Sequence, residues 1–229
     1  MNIDEIGERL VHCELACVGI INEPKIGVLP RCLILENNEC SADNRTRPDC
    51  IVVGISPGIS GPRERGYYMK EGISYESVKE YFFSGSRPIS REKYFSQLRK
   101  IVGELGLGTA ILWTDLCKCE DKTKGISPPM QTFRTCVRNF LRNELELFPA
   151  APLIAVGNQS FQALCYLFPD RFVIGVPHPT GSYGNFSQLF NEKERLKTCY
   201  KNMARLLKDE QGYANSVRLF PPARSQSQT

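Results

Sequence analysis

The chain has 229 residues, 41% of them hydrophobic, a mild formal charge of +4 and ten cysteines. That is enough apolar material to bury a real core in one α/β domain or two small ones. No apolar run approaches the roughly 20 residues of a membrane span, and the acidic start Met1-Asn2-Ile3-Asp4-Glu5 lacks a signal-peptide core, so a soluble cytoplasmic monomer is the default expectation.

In chain order, Ile3, Ile6, Leu10 and Val11 sit at helical spacing and predict a helix over 2–17. Residues 18–49 read as irregular, with a short strand at Cys32-Leu33-Ile34-Leu35. A strand follows at 50–54, then a long Gly- and Arg-rich loop over 55–75 and a short helix over 75–83. The helix 90–105 carries Tyr94, Phe95, Leu98, Ile101, Val102 and Leu105 on one face. A second strand spans 110–114, and after the loop 115–130 a helix over 130–147 presents Phe133, Val137, Phe140, Leu141 and Leu145. A strand at 153–156, a helix over 158–168, a strand at 172–176 and a helix over about 190–208 complete the pattern. The tail 209–229 is polar and is expected to fray, leaving a single domain over 1–208.

Strands joined through helices imply a parallel sheet covered on both faces, here a three-layer α/β/α sandwich around a central, mainly parallel four-stranded sheet. Ligands in such sheets bind beyond the carboxyl ends of the strands, and those ends deliver Ser56, Asp115, Asn158 and His178. Basic residues gather near the same loops: Arg63, Arg65, Lys70, Lys118 and Lys122 among them. They suit a nucleic-acid partner or a solvated surface.

Two loops carry the chemistry. Gly54-Ile55-Ser56-Pro57-Gly58 combines a φ-fixed proline with glycines that let backbone approach a flat ligand. His178-Pro179-Thr180-Gly181-Ser182 carries one of only two histidines. Between them lies Trp113-Thr114-Asp115-Leu116-Cys117-Lys118-Cys119. Sixteen residues separate Cys119 from Cys136, and Cys13 and Cys17 stand at i, i+4, which on a helix would turn both thiols the same way. Cys50, Cys165 and Cys199 read as small core hydrophobes, with Cys32 and Cys40 as reserve ligands.

Taken in order, these segments resemble the signature loops of the uracil-DNA glycosylase superfamily, with a cysteine layout similar to its iron–sulfur members. The resemblance implies excision of a flipped, deaminated or damaged base, uracil or a related one, from DNA by hydrolysis of the N-glycosidic bond in base-excision repair. His178 would stabilise the departing base anion. Gly54, Ile55, Pro57 and Gly58 would line the base and sugar, Tyr68 would stack on the base, and Thr180, Ser182 and Tyr183 would contact or wedge the DNA. Cys13, Cys17, Cys119 and Cys136 would ligate a [4Fe–4S] cluster.

Two positions depart from the family pattern. Asp115 stands where relatives use an asparagine to read the base edge, so the site offers an acceptor where uracil O4 needs a donor. Ile55 and Ser56 occupy positions where relatives place a carboxylate or amide to hold water, which leaves Ser56 with Glu71, or Glu64, as the candidate water-holding set and implies weak activity or a base other than uracil. The alternative is a non-catalytic nucleic-acid or nucleotide binder on the same fold.

Overall fold

The computed structural model describes residues 1–31, 33–37, 47–84, 92–123 and 128–179, and the backbone of Val217–Arg218. Strands in chain order are β1 (Ile20–Ile21), β2 (Leu33–Asn37), β3 (Cys50–Gly54), β4 (Ala110–Asp115), β5 (Glu120–Asp121), β6 (Leu153–Val156), β7 (Val173–Val176) and β8 (Val217–Arg218). Helices are α1 (Ile3–Val11), α2 (Pro62–Glu71), α3 (Tyr75–Ser84), α4 (Lys93–Glu104), α5 (Met130–Cys136), α6 (Arg142–Leu147) and α7 (Gly157–Leu167), with a short 3₁₀ turn at Pro24–Ile26.

The residues of β3, β4, β6 and β7 are buried along their whole length, as expected of parallel strands covered on both faces. The main sheet runs in the order β2-β4-β3-β6-β7-β8. It therefore has two strands more than the four expected. β2 adds an antiparallel edge against β4, and β8 pairs parallel with β7. The tail expected to fray thus contributes Val217–Arg218 to the sheet; the expected helix near 190–208 lies outside the described residues. Helices surround the sheet in the three-layer arrangement, with α7 packed on β6 and β7.

Register decides where the site can be. Gly54 pairs with Asp115, Val53 with Ala155, and Val156 with Val176. The carboxyl ends of four parallel strands are consequently in line, and the residues that follow them share one edge.

Three helices depart from the sequence pattern. α1 begins with a capping box, in which Asn2 and Glu5 each accept the other's backbone N–H at 2.9 Å, but it ends at Val11. Cys13 and Cys17 lie beyond it, so the helical i, i+4 argument does not hold. α2 occupies part of the expected loop 55–75; Gly61-Pro62 starts it and Gly72, at φ 95°, ends it. It shows little amphipathic pattern, and Tyr68 is its one buried residue. Between α5 and α6 the helix widens to a π-bulge over Val137–Leu141, and Phe133, Val137, Phe140, Leu141 and Leu145 are all buried.

One buried ion pair ties this helix to the sheet. Lys118 Nζ donates to Glu144 Oε2 at 2.8 Å with side-chain exposures of 1% and 0%, and Thr114 Oγ1 donates to the same oxygen at 2.6 Å. Removing one partner of such a pair strands a buried charge. Lys118→Met is expected to lower unfolding stability by about 3–5 kcal/mol in urea titration. Adding Glu144→Leu should return a large part of the loss, and a Lys118→Met chain as stable as wild type would contradict the pairing.

Candidate active site

The loop after β3 is built on a close approach that only glycine allows. A Cβ on Gly54 would stand 2.1 Å from Asp115 Oδ1 and 3.2 Å from the Tyr94 hydroxyl. Asp115 ends β4 directly opposite, 4% exposed, with its carboxylate resting on the bare Gly54 backbone. The chain leaving β4 then runs alongside the loop: Leu116 N–H donates to Gly54 O at 3.1 Å and Cys117 N–H to Ile55 O at 2.9 Å.

Arg31 fixes the far end of the loop. Its guanidinium donates to Gly58 O and lies 2.8 Å from Glu64 Oε1 and 2.7 Å from Glu120 Oε1. Burial alone would lower the Arg31 pKa, but the two carboxylates outweigh it and hold the group charged. Burial raises the pKa of the Asp121 carboxylate on β5, and the Ser56 hydroxyl, between the anchored ends, acts the other way.

His178 follows β7 and is half-buried. Its ring lies 5.5 Å, centroid to centroid, from that of Tyr94, which itself approaches Gly54. Gly157, at φ 85°, begins α7 at the end of β6; a Cβ there would sit 3.9 Å from His178 Cβ. Beside it, Asn158 keeps a buried Oδ1 without a hydrogen-bond partner. Burial pushes the His178 pKa below 6.5, so the imidazole is neutral at pH 7, with one N–H to donate and one nitrogen to accept. Gly54, Asp115, Tyr94 and His178 therefore form one cluster from three strand ends and α4.

The four singled-out cysteines share a second neighbourhood. After burial, which acts first on each, Cys136 disfavours ionisation of Cys13, Cys17 and Cys119, and Cys119 also feels Cys13 and Cys17. Cys136 is displaced the other way, toward thiolate, chiefly by the Cys117 thiol that donates to it and further by the Lys118 N–H and ammonium. The segment bearing Cys13 and Cys17 is held there by Asn22 Nδ2 on Cys13 O at 2.6 Å and Thr132 Oγ1 on Val18 O at 2.7 Å. Pairing of β1 with β5 adds to this. Among the described residues no three His, Cys, Asp or Glu side chains are arranged to hold a metal ion. By chemistry alone, four thiols are the donor type that an iron–sulfur cluster takes.

Residues 42–203 match the family model of the uracil DNA glycosylase superfamily, a span that includes both site loops together with Cys119 and Cys136. The chain belongs to this superfamily. Comparison with curated proteins yields no significant match. Superfamily membership makes the carboxyl-end cluster the candidate active site of a DNA glycosylase-like fold.

Within that superfamily frame, several sequence expectations change place. Tyr68 is 0% exposed, with its hydroxyl 3.3 Å from Glu64 and its ring against Tyr67 and Tyr81; it is a core residue and has no free face for a base. Glu64 is spent on Arg31. Glu71 is exposed at the end of α2 and pairs with Lys70 at 2.6 Å. Ile55 packs on the core, Pro57 is half-buried and Gly58 is exposed. Thr180, Ser182 and Tyr183, with Cys32 and Cys40, lie outside the described residues. Tyr94 is the site residue that periodicity hid, because it shares the apolar face of α4 with true core positions.

Titration of His178 should be visible in stability. Because the folded state resists protonating it, the unfolded chain binds more protons below pH 6.5, and stability falls as pH drops through that value toward the folded pKa. Thermal melts of wild type and His178→Gln are expected to run parallel above pH 7 and to diverge below about 6.5, with wild type losing more. Parallel curves down to pH 5 would contradict a neutral, buried imidazole.

Proposed function

We propose that the chain is a DNA glycosylase that draws a nucleotide out of the helix and hydrolyses its N-glycosidic bond, with His178 and Asp115 on the extruded base. The observation that carries this reading is the convergence of Asp115, Tyr94 and His178 over the bare Gly54 backbone, at the edge where parallel sheets bind ligands. A neutral imidazole donates to the base carbonyl as negative charge gathers there. Tyr94, in place of Tyr68, is the aromatic that meets the base. Unpairing the nucleotide costs a few kcal/mol, least for a damaged or mismatched base.

Asp115 sets the base class. An ionised carboxylate only accepts hydrogen bonds. It suits an exocyclic amine, as on cytosine or adenine, and repels the carbonyl that uracil presents at the same place. The substrate inferred is therefore a damaged base that keeps its amine, with uracil a poor one.

Cys13, Cys17, Cys119 and Cys136 are proposed to hold a [4Fe–4S] cluster. When bound, the cluster would brace the fold; it takes no part in base release. The chain's own residues around it hold Cys136 as the readiest thiolate and pin the Cys13–Cys17 segment against α5.

Single-turnover base release from oligonucleotides carrying uracil, hypoxanthine or amine-bearing lesions tests the reading. Release is expected from an amine-bearing lesion, and Asp115→Asn should shift the preference toward uracil by roughly tenfold or more. Salt-dependent DNA binding with no release from any substrate would instead mark a non-catalytic binder. Separately, protein purified without oxygen should carry about four irons per chain and broad visible absorption, both lost in Cys136→Ser. An iron-free, colourless wild type would remove the cluster.

A further inference from the structure

The first turn of α7 carries polar groups that the fold leaves unused. Among the described residues, Asn158 Oδ1 and Ser160 Oγ are buried and have no hydrogen-bond partner. Both belong to the turn that opens at Gly157, where β6 passes into α7. A helical serine commonly bonds back to the carbonyl one turn earlier. The Ser160 hydroxyl, 0% exposed, does not. A buried polar group left open is costly unless water or a ligand meets it.

The same turn is an open helix N-terminus. The first four N–H groups of an α-helix have no partner inside it. The N-cap here is Val156, which supplies no capping side chain, and the first turn holds no acidic residue to answer the positive helix end. Side chains on a helix lean toward its N-terminus, so Ser160 lies over the turn that begins at Gly157. Gly157 has no side chain to fill that space, and a Cβ there would sit 3.9 Å from His178 Cβ. The hydroxyl and the open N–H groups are therefore gathered beside the imidazole.

Donors at a positive helix end suit an anion. Two features choose the base over a backbone phosphate. Ser160 is fully buried, so only a group that enters the pocket reaches it, as an extruded base does. Gly157-Asn158-Gln159-Ser160 also contains no lysine or arginine, the side chains that phosphates most often take. Neutral, fixed donors fit a charge that develops only as the bond breaks.

Resting on the glycosylase reading above, we propose that Ser160 is a catalytic residue: with the N-terminal turn of α7 it donates to the departing base, beside His178, as negative charge gathers there. When the C1′–N bond breaks, its electron pair leaves on the base. Water adds to C1′ and releases a proton to solvent, and the base anion takes one up, giving an abasic site plus free base. Ser160 keeps its proton throughout and supplies only a hydrogen bond. Asn158 completes the turn as a neutral amide.

Ser160→Ala and Asn158→Asp, as full chains, test this in single turnover on the best substrate, with thermal melts alongside. Both should melt at or above the wild-type temperature, because the first removes an unsatisfied buried hydroxyl and the second places a negative charge at a helix N-terminus. Both should nonetheless release base more slowly, Ser160→Ala by about 100-fold, with the larger loss for a base that forms the more basic anion. Their Kd for an oligonucleotide with an abasic analogue, which keeps the phosphates and lacks the base, should match wild type. A wild-type rate in either variant would overturn the assignment. So would weaker binding of the abasic oligonucleotide with a shallower salt dependence, which would put a phosphate at this turn. A Ser160→Ala chain that melts well below wild type would also overturn it, by marking the hydroxyl as structural. A wild-type chain that frees no base from any substrate brings down the glycosylase reading first and this residue with it, a result seen before any variant is made.

Discussion

Arg31 is buried to 4% exposure, and its charge is tolerated only because every direction it points is answered. Its backbone N–H donates to Lys118 O at 2.8 Å, and its guanidinium meets Glu64 on α2, Glu120 on β5 and the Gly58 carbonyl. A buried ion of this kind contributes little net stability, since desolvation offsets most of the attraction. Its effect is geometric. It joins the loop after β3, the helix that follows that loop and the hairpin-like segment after β4. Cys119 is next in sequence to Glu120 and also feels the Arg31 charge.

On the proposed reading, the aspartate at position 115 shows how one atom type changes what a base-binding site accepts. Around it lie the absent Cβ at Gly54, the Tyr94 hydroxyl and the adjacent imidazole. What changes is polarity alone. An amide in this position offers both a donor and an acceptor, whereas a carboxylate offers only lone pairs. Discrimination then comes from which partner is left unpaired, and an unpaired buried acceptor is expensive enough to reject a substrate of the right shape.

Much of the architecture was legible because parallel strands covered on both faces read as unbroken apolar runs. Cys50–Gly54, Ala110–Asp115, Leu153–Val156 and Val173–Val176 all stand where the pattern put them, within a residue or two. α4 and α7 were legible from their apolar stripes. α2 was not, because its sequence is mostly charged and aromatic; its only signals were Gly61-Pro62 at the start and Gly72 at the end. The helix expected over 2–17 from Ile3, Ile6, Leu10 and Val11 ends at its cap, His12, so Cys13 and Cys17 lie outside it. Of the site, Gly54, Asp115 and His178 could be picked out as residues that end strands. Tyr94 and Arg31 could not, since their places arise from contacts between segments far apart in the chain. Tyr68 failed for the opposite reason: an aromatic near a motif is more often core than platform.

Val217–Arg218 lies parallel to β7, the strand that leads into His178. Two residues are a short cover, but they occupy backbone donors and acceptors that would otherwise face water along an apolar strand. A protein clipped upstream of that pairing would expose a ready template for another chain's strand, and the first backbone to loosen would be the one that aims the imidazole. Solubility and aim would then fail together from a cut made about forty residues away from the histidine in sequence.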